Sequence, residues 1–265
     1  MVRIDNVAGL PALVIEPETT QAQSPVLLFL HGQGEAGSSA NEIPKVCIHQ
    51  TAPFQAILGR LPGTVVIAPQ APPLPNENDW NWADHVMSLA GFLGKDRFAG
   101  RRLVATGFSR GGLGVLQLVL AFPSLVSAWA VVDPQPARND EEASTILNSP
   151  AIGARGWVRY GVYGTQNEAR RKFSSDLAAK IPHEHYAVTE LSHPEMALAA
   201  YGGSALSDSR NNLYEFLNWS SGDRTNLRAV KGCDRMRSNL AARKLEQEEL
   251  LLAQCVRHGD GHSAN

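Results

Sequence analysis

The pentapeptide Gly107-Phe108-Ser109-Arg110-Gly111 interrupts the apolar stretch "RLVATGFSRGGLG" and offers a serine hydroxyl between two glycines. A Gly-x-Ser-x-Gly turn suits nucleophilic chemistry because the chain must swing sharply from strand to helix, leaving the serine in a strained conformation with its hydroxyl exposed at the sheet edge. The following helix points its N-terminus at that serine, so backbone N–H groups and the helix dipole favour the negative charge of a tetrahedral intermediate. The N–H of Arg110 is the first such donor. Glycine-flanked serines also occur in plain turns, but here a strand-like "RLVATG" precedes the motif and a helix-like "GGLGVLQLVLAF" follows it. A phosphate-binding loop is excluded because no Lys-Ser/Thr pair closes the glycine run.

A second oxyanion donor is expected where the strand-like "VLLFL" ends on His31-Gly32-Gln33-Gly34, with the N–H of Gln33 turned towards the neighbouring strand end. His31 reads as a structural histidine, since a base preceding the serine has the wrong chain order for this arrangement. The base is His193, just past "YAVTEL", where an imidazole can take the serine proton and return it to a leaving group. His49, His183, His258 and His262 read as surface histidines.

These groups need a scaffold that brings strand ends together. Short β-rich runs over 12–15, 26–31, 64–68, 103–106, 128–132, 157–163 and 185–191 alternate with helical patterns over 84–97, 110–122, 168–180 and 211–219. Runs such as "PVLLFL" and "TVVIAP" are apolar at successive positions, which predicts an α/β fold with a mostly parallel sheet covered by helices on both faces. With 265 residues, 43% of them hydrophobic, the chain can fill a substantial core. Residues 1–220 read as one domain. Residues 221–265 read as a C-terminal extension, partly helical or disordered, whose Leu/Glu/Lys/Arg-rich part is a candidate homodimerisation helix or a solvated tail.

The 24 basic and 26 acidic residues leave a formal charge of −2, which argues against nucleic-acid and anionic-membrane partners and favours small neutral molecules. Cys47, Cys233 and Cys255 are far apart and odd in number, with no spacing that suggests zinc or a disulfide framework. The first residues lack a continuous apolar stretch of signal length, and no run approaches the roughly 20 apolar residues of a membrane span. A cytoplasmic location is therefore expected.

Together, "LFLHGQGEAG", "VVIAPQAP" followed by "DWNW", "GFSRGGLG" with "AFPSLVSAWAVV", and "LSHPEMALAAYG" followed by "NNLYEFLNW" resemble the α/β-hydrolases. The likeness is to the compact carboxylesterase and predicted-peptidase branch that includes phospholipase/carboxylesterase and polyhydroxybutyrate-depolymerase-like enzymes. It covers about residues 10–219. It implies an eight-stranded type of sheet, a Ser-acid-His triad, a minimal lid and no cofactor. Such relatives carry a His-Gly-x-x-Asp type of turn after the strand that corresponds to "WVRYGVYG", whereas this chain reads Tyr163-Gly164-Thr165-Gln166-Asn167-Glu168. Asn167 then occupies the acid position and lacks the charge to stabilise an imidazolium. Glu168, one residue on, is the preferred acid; Asp133, after "SAWAVV", is the alternative.

Trp80 and Trp82, in the Pro-rich "APPLPNENDWNWAD", are candidate walls of an acyl or aromatic pocket, with packing of the loop onto the sheet as the other role. Residues 133–157 leave no room for a large lid, so the site is expected to be open. The function read from these residues is hydrolysis of carboxylic or thio esters through an acyl-enzyme on Ser109. The alternatives are a non-hydrolytic lyase or cyclase using His193 as base, and an inactive binding relative.

Overall fold

The computed structural model describes residues 1–18, 20–73, 82–95, 98–153, 155–161, 168–182, 186–202, 213, 214, 216 and 253–255. Eight strands form one sheet: β1 Val2–Val7, β2 Leu10–Ile15, β3 Val26–Leu30, β4 Val65–Pro69, β5 Leu103–Phe108, β6 Val126–Val132, β7 Gly156–Gly161 and β8 Tyr186–Thr189. Their order is β1-β2-β4-β3-β5-β6-β7-β8. β1 and β2 pair antiparallel, as do β2 and β4, and all other neighbours are parallel.

The parallel centre follows from residue type. Every residue of β3, β4 and β5 is buried, as strands covered on both faces must be, and apolar clusters fill both sides. β1 escapes the sequence reading because "VRIDNV" is an edge strand, half exposed and rich in polar residues.

The helices are α1 Ala52–Ile57, α2 Ala83–Leu93, α3 Arg110–Ala121, α4 Asp140–Asn148, α5 Pro150–Gly153, α6 Glu168–Ala178 and α7 His193–Tyr201, with tighter 3-10 turns over Gln33–Glu35 and Ala40–Gln50. α3 is buried from Gly111 to Val119 and is apolar there apart from Gln117, which donates to Glu142 Oε1 at 2.8 Å. α4, to which the sequence reading assigns no element, is capped by Asn139, whose side chain accepts from the Glu142 N–H at 2.8 Å. No helix among the described residues is long and apolar enough to cross a membrane.

Of the C-terminal extension, only 253–255 lies among the described residues. Cys255 is buried there in the same apolar cluster as Cys47. Burial first, and then the adjacent Cys255 thiol, push the Cys47 thiol well up. Two cysteines that look unrelated in the sequence are thus neighbours in the fold.

Candidate active site

Ser109 sits at the junction of β5 and α3 with φ 56° and ψ −120°, a sparsely populated conformation for a residue with a side chain. Its own backbone groups hold it there. The Ser109 N–H donates to Val132 O at 3.0 Å, while Ser109 O accepts from Gln135 N–H at 2.9 Å and Gly112 N–H at 3.0 Å. The elbow is therefore clamped to the end of β6. The flanking glycines are required by close backbone approach: a Cβ on Gly107 would lie 2.3 Å from Gly111 O, and one on Gly111 would lie 1.9 Å from Leu30 O.

The loop after β3 is locked by His31. Its Nε2 accepts from the Ala71 N–H at 2.9 Å, so Nδ1 carries the proton and donates to Gly32 O at 2.5 Å. Burial is the main cause that lowers the His31 pKa to about 4, keeping the ring neutral. This is the structural role that the sequence assigns to it.

Beyond it, Gln33 opens a one-turn helix and Arg110 opens α3. N–H groups at such first positions have no intrahelical acceptor, which suits both to an incoming oxyanion. Gly32 lies where three groups converge. A Cβ there would meet Glu35 Oε2 at 3.0 Å, and Phe108 Cδ1 and Ser109 Cβ at 3.3 Å each. Glu35 is 2% exposed. Burial pushes its pKa up to about 7, against hydrogen bonds from the N–H groups of Glu35 and Gly32 that pull it down.

His193 is the first residue of α7 rather than part of a plain loop. The carboxylate of Glu195 accepts from the Ser192 N–H at 2.8 Å and the Ser192 hydroxyl at 2.5 Å, fixing the helix start. The His193 ring stacks on Phe108, the residue before the serine, at 4.4 Å between centroids. Its Nδ1 is hydrogen-bonded to Asp133 Oδ2. Asp133 follows β6, is 1% exposed, and has φ 42°. Its N–H donates to Arg159 O at 2.8 Å, holding the turn on β7.

The two candidate acids are placed differently. Glu168 stands exposed at the start of α6, and it is Asp133, at the end of the neighbouring strand β6, whose carboxylate meets the imidazole. Asn167 lies outside the described residues.

Trp82 takes the packing role of the two offered by the sequence. It is fully buried, donates its indole N–H to His31 O at 3.0 Å, and packs so tightly on α3 that a Cβ on Gly114 would lie 2.4 Å from it. It packs in the core between α3 and the end of β3. Trp80 lies outside the described residues.

Three further residues near His193 carry no signal that the sequence reading used. His49, taken as a surface histidine, is half-buried with its ring 6.0 Å from that of Phe108, and burial, then the His193 charge, lower its pKa. Gln135 and Arg170 complete the group. Arg170 donates from Nη2 to Gln135 Oε1 at 2.5 Å and from Nη1 to Asp133 Oδ2 at 3.3 Å. The same Nη1 lies 2.8 Å from His193 Nδ1 and 3.1 Å from Nε2. In the sequence, "EARRKF" is only the start of the helical pattern over 168–180. A cavity of about 410 Å³ lined by Val119, Val126, Trp129 and Arg155 lies by the start of β6, away from this site at its other end. Among the described residues, no three His, Cys, Asp or Glu side chains gather as a metal-holding group.

No family model and no curated protein matches the sequence. Among solved structures, a thermostable esterase superposes with a TM-score of 0.54 at 18% identity, over 84% of this chain and 62% of that one. A hormone-sensitive lipase from a metagenome library gives a TM-score of 0.54 at 13% identity, over 84% of each chain. An S-formylglutathione hydrolase from Agrobacterium tumefaciens gives 0.52 at 12% identity, over 84% of this chain and 93% of that one. The chain thus spans under two thirds of the thermostable esterase it matches.

Proposed function

From the α/β-hydrolase fold that this chain carries, we propose that it is a serine hydrolase cleaving carboxylic esters or thioesters through an acyl-enzyme on Ser109. The observation that carries this reading is the Asp133-paired imidazole of His193 stacked on Phe108, directly beside the strained elbow.

The steps follow from that arrangement. Ser109 Oγ attacks the substrate carbonyl carbon while its proton passes to His193 Nε2; Asp133 keeps the Nδ1–H and stabilises the imidazolium. The carbonyl oxygen takes the negative charge and is met by the N–H groups of Gln33 and Arg110. Collapse breaks the bond to the alcohol or thiol, which leaves with the proton from Nε2. Water then repeats the sequence on the acyl-enzyme and releases the acid. Small-molecule acyl substrates are the partners this reading implies, and a homodimer through the C-terminal segment is its proposal for assembly.

The test is covalent labelling. A neutral fluorophosphonate should modify the wild-type protein at Ser109 and leave Ser109→Ala untouched. An unlabelled wild type, or ester turnover retained by Ser109→Ala, sinks the acyl-enzyme.

A further inference from the structure

We infer that Glu35 is a positioning residue that serves this site only as a neutral acid: protonated, it packs against the Gly32–Gln33 turn beside Ser109, and ionised, it opposes the charge that acyl transfer creates there. The inference rests on the acyl-transfer reading above. The mechanism leaves this carboxyl unused, yet it stands close to the chemistry. Glu35 ends the one-turn helix that Gln33 opens, and its side chain turns back to accept from the Gly32 N–H. The point where a Cβ on Gly32 would stand is 3.0 Å from Glu35 Oε2 and 3.3 Å from Ser109 Cβ. The carboxyl and the nucleophile therefore flank the same glycine.

Glu35 is kept inside. Gln70 Nε2 donates to Glu35 O and to Glu42 O, both at 2.8 Å, which pins the short helix to the turn that follows it, and the residue is 2% exposed. The titratable groups around it supply no compensating charge. His31, at the end of β3, is neutral, and Tyr201, on α7, is a phenol whose pKa burial pushes well up. On the long 3-10 turn, burial lowers the pKa of His49, and Glu42 is paired with Lys45. His193 is bonded to Asp133 at the start of α7. What acts on Glu35 is burial, which raises its pKa to about 7, against its own N–H and that of Gly32, with no cation pulling it back. A buried carboxyl without a counter-ion favours its neutral form, and like charges a few ångströms apart repel strongly away from water. Ionised Glu35 thus raises the barrier to the tetrahedral intermediate, whereas His193 must lose its proton to act as base. The rate should climb with pH as His193 becomes neutral and fall again as Glu35 ionises, above about 7.

The test is the ratio of kcat/KM for 4-nitrophenyl butyrate in Glu35→Gln to that in wild type, followed from pH 6.5 to pH 9 with the folded fraction checked at each pH. Glutamine keeps the shape and the accepting oxygen and never ionises, so the ratio should rise by about fivefold or more, because wild type alone acquires the charge. Glu35→Leu, which also gives up the accepting oxygen, should be slower at pH 6.5 and show the same rise, and it keeps the test decisive if the glutamine variant fails to fold. A purely structural role would move the ratio equally at every pH. Fluorophosphonate labelling of Ser109 separates the failures. Normal labelling with a ratio that rises by less than about twofold overturns the role of Glu35 alone. Absence of both labelling and turnover overturns it together with the acyl-enzyme.

Discussion

The nucleophile side and the base side of the site are built from different material. Ser109 is held by main chain against main chain: its N–H on Val132 O, its carbonyl under Gln135 N–H, and glycines 107 and 111 in contact with carbonyl atoms of α3 and β3. His193 is held by side chains from three places, with Asp133 and Gln135 after β6, Arg170 on α6 and Phe108 under its ring. A backbone clamp tolerates no added atom and writes itself into the sequence as glycines at fixed spacing. A side-chain cluster can be assembled from positions with no local signature, and one substitution can rewire it.

The largest effect should come from breaking the base side without changing its shape. Asp133→Asn keeps the size of the group and removes its charge, which in a serine triad lowers kcat by about four orders of magnitude. Steady-state kinetics on any ester that the wild type cleaves, with the labelling rate at Ser109 alongside, measure it. A loss below about tenfold would mean that the imidazolium is stabilised elsewhere.

On the nucleophile side the corresponding break is steric. Gly111→Ala places a Cβ 1.9 Å from Leu30 O, so α3 must retreat from β3. Overpacking of this kind costs about 3 kcal/mol or more where backbone must move, which urea unfolding should register as a lower midpoint with an unchanged slope. Gln135→Ala on the base side removes one hydrogen bond to Arg170 and should cost only about 1 kcal/mol. Equal losses in the two variants would erase the distinction between clamp and cluster.

That distinction also accounts for what could be read from the sequence. The sharp turn at Ser109, the glycine-bearing turn after β3 and the parallel sheet were legible because glycine spacing and continuous apolar runs are local consequences of close approach and two-sided burial. His193 was legible from chain order, although not as a helix start. The choice between the two carboxylates was not, because both sit in segments that read as turns or helix ends, and only the tertiary placement of those segments decides which one reaches the imidazole. Asp133 in "DPQP" looks like a turn, and with φ 42° it is one. Trp82 was left between its two roles for a related reason: the direction of its ring is set by Gly114 on α3 and His31 O, both distant in sequence. The Cys47–Cys255 contact was hidden in the same way.

The loop between these halves carries two buried titrating groups of opposite sign dependence. Glu35 holds its proton to about 7 in the fold, against an ordinary value of 4.5, so the folded state binds more protons between those pH values and stability falls as pH rises through them. His31 takes a proton only near pH 4 when folded, against 6.5 ordinarily, so its contribution is lost as pH falls through that window. The two slopes oppose each other around pH 5–6, and removing one exposes the other. Glu35→Gln should gain on wild type by about 2–3 kcal/mol in unfolding free energy between pH 4.5 and pH 8, given about 1.4 kcal/mol for each pH unit between the two values. Denaturant titrations at both pH values decide it, and parallel curves for the two proteins would show that Glu35 does not titrate in this range.

The smallest effect belongs to the other carboxylate. Glu168 stands exposed at the first residue of α6, where its charge complements the helix dipole and does little else. Glu168→Gln should therefore change kcat by less than about twofold and stability by at most about 0.3–1 kcal/mol, measured in the same assays as Asp133→Asn. The pair is informative because both substitutions neutralise one carboxylate and preserve side-chain shape. A gap of about four orders of magnitude in kcat between them means that position relative to His193, rather than net charge near the site, makes the acid. A tenfold loss in Glu168→Gln would instead draw α6 into proton transfer. The base side would then be shared between two carboxylates.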